Sequence, residues 1–125
     1  MSDLPTTLPD GAGQDTSRFT SGTYTPHVLV ADADPTSRLE REQHLRSAGA
    51  RVLTARTGFE AIVKASCQLP DLIVLDESLG DVEVAETARL LTICPVTAQT
   101  PVLCLRTRRR VPQRILAGLR RQILT

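Results

Sequence analysis

Blocks of apolar residues, each ended by a polar break, divide this chain into alternating short and long segments. His27-Val-Leu-Val-Ala31 is a short apolar run that stops at Asp32 and Asp34, as a buried strand would. Asp34-Pro35 then supplies an N-cap and a first-turn proline, opening a helix that runs to about Ala48, with Gly49 to cap it. This helix is weakly amphipathic, its apolar positions being Leu39, Leu45 and Ala48. Arg51–Ala55 reads as a second strand. A stronger helix follows from Phe59 to Gln68, with Phe59, Ile62, Val63 and Ala65 or Ser66 at helical spacing and Pro70 closing it. Asp71–Asp76 is apolar on both faces, which suits a central parallel strand covered on each side. Val82–Leu91 is a third helix with Val84, Ala88 and Leu91 inward, and Pro101–Leu105 is a fourth strand. Pro112–Leu124 gives a last helix with Ile115, Leu116, Leu119 and Ile123 inward and Arg114, Arg120 and Arg121 outward.

Strands alternating with helices predict βαβ units and one parallel sheet of four strands. Residues 1–26, rich in Pro, Gly, Ser and Thr and without apolar periodicity, are expected to be a disordered leader, leaving 27–125 as a single α/β domain. The 125 residues leave no room for a second folded unit. Only Phe19, Tyr24 and Phe59 are aromatic, so the core must be aliphatic.

The net charge of +1 hides an asymmetry. All fourteen acids lie at or before Glu86, whereas the segment from Arg106 onward holds seven arginines and no acid. Arg108, Arg109, Arg110, Arg114, Arg120 and Arg121 form a basic surface that could meet nucleic acid, or could neutralise the acidic part of the same domain, which is the commoner outcome. No apolar run is long enough to cross a bilayer and no signal-peptide pattern opens the chain, so a cytoplasmic protein is expected. Cys67, Cys94 and Cys104 lack C-x-x-C pairing and are expected to be reduced, small buried side chains. His27 and His44 are expected to be solvated or packing residues, with His44 on the exposed side of the first helix, and no catalytic residue stands out.

In an open parallel sheet, function gathers beyond the carboxyl ends of the strands. Asp32, Asp34, Asp76 and Arg106 all fall there. Converging carboxylates repel unless a cation joins them, and Mg²⁺ held by Asp32, Asp34 and Asp76 is one solution. The alternative has Asp34 capping the first helix and Asp76 paired with a nearby arginine, without a metal.

The runs VLVADADPTSR, GARVLTARTGFEAIVKA, PDLIVLDESL and PVLCLRT resemble, in order and spacing over roughly Val28–Thr107, the receiver domain of response regulators in bacterial two-component signalling, a CheY-like, flavodoxin-like doubly wound fold. The resemblance makes Asp76 the position that accepts a phosphoryl group from a histidine kinase. It also exposes departures. Ala33 stands where the family has a second acid that binds Mg²⁺, Arg106 where it has a Thr or Ser hydroxyl (with Thr107 next to it), and Val111 where it has a lysine. The helix and fifth strand that normally follow the fourth strand are expected to be missing. An arginine at 106 would reach Asp76 as an ion pair, filling the space of metal and phosphate.

The resemblance thus implies a degenerate, pseudo-receiver module without enzymatic activity. Its expected partners are proteins, a histidine kinase or an output protein, with Mg²⁺-dependent phosphorylation of Asp76 disfavoured. The competing readings are a stand-alone response regulator phosphorylated on Asp76, and nucleic-acid binding through the arginine-rich end. A fourth strand without a neighbour is an exposed edge, expected to be hidden by the last helix or by a second copy in a homodimer.

Overall fold

The computed structural model describes residues 25–106 and 109–124, and side chains within them up to Gly118. The predicted leader up to residue 24, together with Thr107 and Arg108 and the side chains of Leu119, Arg120, Arg121 and Ile123, lies outside the described residues.

Four strands form one parallel sheet: β1 (His27–Ala31), β2 (Arg51–Ala55), β3 (Leu72–Asp76) and β4 (Val102–Leu105). Their spatial order is β2-β1-β3-β4. Helices α1 (Pro35–Ser47), α2 (Gly58–Gln68), α3 (Asp81–Ile93) and α4 (Gln113–Leu124) alternate with them or follow. The expected doubly wound α/β sheet is therefore present, and every strand lies within a residue of its predicted bounds. Because the chain steps one way from β1 to β2 and the other way from β3 to β4, the order reverses between β1 and β3. The crevice at such a switch point lies beside the carboxyl ends of those two strands, at Asp32 and Asp76.

Alternation along each strand divides the core into two layers. Val28, Val30, Val52, Leu72 and Val74 pack with Leu45 of α1, and with Val111 and Leu116 at the start of α4. Leu29, Ala31, Ile73 and Leu75 pack on the other face with Ala61 and Ala65 of α2 and Leu91 of α3. Every residue of β3 is buried, as its two apolar faces require. Val111 is thus a core residue. The last helix packs through Leu116 on one face of the sheet, and among the described residues no strand pairs with the outer side of β4.

Three predicted inward positions turn outward. Leu39, Phe59 and Val63 are 53%, 77% and 46% exposed. On α2 the buried stripe is Gly58, Ala61 and Ala65, and Phe59 lies outside it. Cys67 and Cys104 are exposed and Cys94 half-buried, contrary to the expectation of buried thiols. Cys67 lies on the exposed side of α2, and Cys104 lies on β4, the strand at the end of the sheet's order among the described residues.

The closeness of α2 to α3 has a local cause. Gly58 N–H donates to Glu83 Oε2 at 2.5 Å. A Cβ on Gly58 would lie 1.9 Å from Thr87 Oγ1, and Thr87 is buried. Gly80 has a different role, its φ of +94° forming the sharp turn between the 3₁₀ turn Glu77–Leu79 and α3. Gly58→Ala should lower unfolding stability by about 1–3 kcal/mol through overpacking. Adding Thr87→Ala should recover part of the loss, which a double-mutant cycle by chemical denaturation would measure.

Candidate functional site

Both strands that flank the switch point end in a carboxylate with no solvent exposure. Asp32 and Asp76 are each 0% exposed. Two buried carboxylates this close in the fold need donors for each oxygen and a positive charge nearby.

The donors come first from local structure. Asp32 Oδ1 accepts from Asp34 N–H at 3.0 Å and from Ser78 Oγ–H at 2.8 Å. Its Oδ2 accepts from Ser37 Oγ–H at 2.6 Å. Asp76 caps the 3₁₀ turn, Oδ2 receiving Ser78 N–H at 3.0 Å. Ser78 Oγ in turn accepts from Ala33 N–H at 2.9 Å, so one hydroxyl bridges the ends of β1 and β3.

The positive charge comes from α1. Arg41 is buried, and its Nη2 donates to Asp76 Oδ1 at 2.6 Å. Its Nε stands 3.9 Å from Asp32 Oδ2. The same guanidinium donates to two main-chain carbonyls beyond β4, those of Arg106 at 3.2 Å and of Arg109. A turn closed by Arg109 N–H to Arg106 O, 3.0 Å, sets these carbonyls side by side. Arg41 therefore joins α1, the end of β3 and the loop after β4 through one planar donor fork.

This arrangement corrects one expectation. The arginine seated on Asp76 is Arg41; Arg106 lends its carbonyl to that guanidinium while its own side chain is exposed. Position decides this, because the Arg41 side chain rises from α1 into the crevice, whereas residue 106 has left the strand and turned outward. The inward line of α1 is Ser37, Arg41 and Leu45, spaced by four residues, and all three are buried. The signal in the sequence was a serine and an arginine in register with Leu45, which explains why the helix looked weakly amphipathic.

Asp34 does what a helix cap does. Its Oδ2 accepts from Ser37 N–H at 3.3 Å, and the residue is exposed. The metal set Asp32, Asp34 and Asp76 is not assembled as three converging ligands, and among the described residues no group of three His, Cys, Asp or Glu could hold a metal ion. The Arg41 guanidinium bonds Asp76 and faces Asp32, between the two carboxylates of the expected Mg²⁺ set.

The basic surface is partly in view. Arg109, Arg110 and Arg114 are exposed, whereas Arg108, Arg120 and Arg121 lie outside the described side chains. His44 is half-buried, not exposed as expected, and burial followed by the charges of Arg110 and Arg41 lowers its pKa below the ordinary histidine value. Among the described residues no helix is long and apolar enough to cross a membrane.

No family model matches the chain, and no curated protein matches it by sequence. Solved structures do match. A response regulator of Chloroflexus aurantiacus is 28% identical with a TM-score of 0.60, the match covering 65% of this chain and 66% of that one. The N-terminal domain of a response regulator receiver protein from Methanoculleus marisnigri is 27% identical, TM-score 0.63, covering 77% and 79%. A chemotaxis response regulator of Vibrio cholerae is 26% identical, TM-score 0.62, covering 81% of each chain.

Removing the guanidinium leaves two buried carboxylates uncompensated. Arg41→Ala should cost about 3–5 kcal/mol of stability, and Arg41→Lys should not restore it, since an ammonium cannot span Asp76 and the two carbonyls at once. Chemical denaturation of the two variants is the check; a loss below about 1 kcal/mol would match a solvated surface pair instead.

Proposed function

We propose that this chain, a receiver domain of the response-regulator type, serves signal transduction by binding a protein partner without accepting a phosphoryl group on Asp76. The observation that carries the reading is the 2.6 Å bond from the buried Arg41 guanidinium to Asp76 Oδ1.

Phosphoryl transfer to a carboxylate needs a free oxygen lone pair aimed at the donor phosphorus and positive charge that neutralises the transferred group. Asp76 offers neither readily. One oxygen is held by Arg41 and the other by Ser78 N–H, and the carboxylate is closed to solvent. The guanidinium's charge is spent on the ground-state carboxylate, so it favours the unreacted form. Departures at neighbouring positions agree with this: Ala33 offers no carboxylate, and Val111 is packed in the core.

What the lock does instead is hold shape. By gripping the carbonyls of Arg106 and Arg109, Arg41 ties the loop after β4 to the sheet and to α1. A partner then meets a surface already ordered, which lowers the entropic cost of association. We assign no catalytic residue and no metal to the domain.

The test is incubation with Mg²⁺ and acetyl phosphate, followed by intact-mass measurement. The expected result is an unchanged mass. A gain of one phosphoryl group that Asp76→Asn abolishes would establish the rival reading, a response regulator phosphorylated on Asp76.

A further inference from the structure

A cleft of about 630 Å³ lies on the other side of Arg41 from the carboxylates. One wall is α1, through Ser37, Glu40, Arg41, Gln43, His44 and Ser47; the other is the pair Arg109 and Arg110, ahead of α4. Its size is that of a small-molecule site, larger than a lone phosphate ion needs.

The lining is polar and its charge is unbalanced. Arg41 is committed to Asp76, but among the described residues no carboxylate lies within ion-pair distance of Arg109 or Arg110. Glu40 is the single acid of the lining. His44 Nδ1 is shielded from solvent with no hydrogen-bond partner, a costly state for an imidazole nitrogen unless something comes to meet it. Hydrogen bonding to backbone carbonyls fixes the Arg109 main chain, so the arginine pair springs from an anchored loop.

We propose that this cleft binds a phosphate-bearing small molecule of nucleotide size. Arg109 and Arg110 hold the phosphate oxygens, where guanidinium forks match their geometry. The His44 ring, the Gln43 amide and the Ser47 hydroxyl supply the remaining donors and acceptors toward the sugar or base. The concave shape favours a small anion over a nucleic-acid duplex, which needs a broad convex or grooved basic surface. Burial first, and then the charges of Arg110 and Arg41, lower the His44 pKa, so its ring faces the ligand as a neutral imidazole near neutral pH.

Calorimetric titration of the full chain with ADP, in EDTA so that no metal chelate forms, is the experiment, with inorganic pyrophosphate as competitor. The expected result is saturable binding at one site per chain, displaced by pyrophosphate and weakened about tenfold or more by Arg109→Ala/Arg110→Ala. That variant keeps the Arg109 carbonyl on Arg41, and an unchanged thermal unfolding curve would verify that it stays folded. Arg114→Ala, exposed and outside the lining, should bind as the parent does. The proposal is overturned by absence of saturable heat at millimolar ADP, by equal affinity in the double variant, or by equal weakening from Arg114→Ala. Tighter capture of a DNA duplex that all three arginine changes weaken alike would overturn it too, and assign the arginines to nucleic acid.

Discussion

One buried guanidinium between two buried carboxylates is the constraint on which this domain depends. Asp32 and Asp76 end adjacent parallel strands, and nothing about a parallel sheet allows two such charges to sit together unsupported. Arg41 supplies the charge, Ser37 and Ser78 supply donors to the carboxylates, and the loop after β4 supplies two carbonyls to the guanidinium, whose Nε faces Asp32 at 3.9 Å without a hydrogen bond. A buried ion pair of this kind gives little net stability, because desolvating both partners cancels most of the attraction. Its effect is to join α1, β1, β3 and the post-β4 loop through one guanidinium.

That constraint explains the unusual helix. An α1 whose inward face reads Ser37, Arg41, Leu45 contributes few apolar contacts at its N-terminal half and is held there by charge-assisted bonds. The apolar work passes to Leu45, to Val111 just ahead of α4 and to Leu116 within it, which close the same face of the sheet. The opposite layer has no such polar centre, and packs by close approach, with Gly58 and small alanines letting α2 settle against α3. The two faces of one sheet thus use different physics, and the polar face is where the site and the neighbouring cleft both lie.

Much of the fold was legible because its strands are short apolar runs bounded by acids and prolines, and those signals are local. His27–Ala31 and Leu72–Asp76 could be read almost to the residue. Which way Phe59 and Leu39 point was not, since helical spacing marks a face without saying how closely the neighbour approaches. The carboxylates Asp32 and Asp76 were legible from their position at strand ends. Their partner was misassigned: Arg106 occupies the right place along the chain, but Arg41, far away in sequence, occupies the right place in space. A charged residue in register with a buried leucine is a weak signal unless one asks what an arginine on an inward helical stripe must be paired with. The exposure of Cys104 goes with the place of β4 at the end of the strand order, where all four of its residues are only partly covered or exposed, a property of the sheet as a whole and of no local segment.

The most direct test of the account is the nuclear magnetic resonance spectrum of the Arg41 guanidinium, assigned by comparison with Arg41→Lys. If the guanidinium is clamped on Asp76 and the two carbonyls, its Nη protons should appear as resolved, slowly exchanging signals that Asp76→Asn shifts and millimolar Mg²⁺ leaves in place. A single averaged, rapidly exchanging signal, or one that Mg²⁺ displaces, would contradict it, since Arg41 would then be a mobile side chain leaving the carboxylates open to a metal.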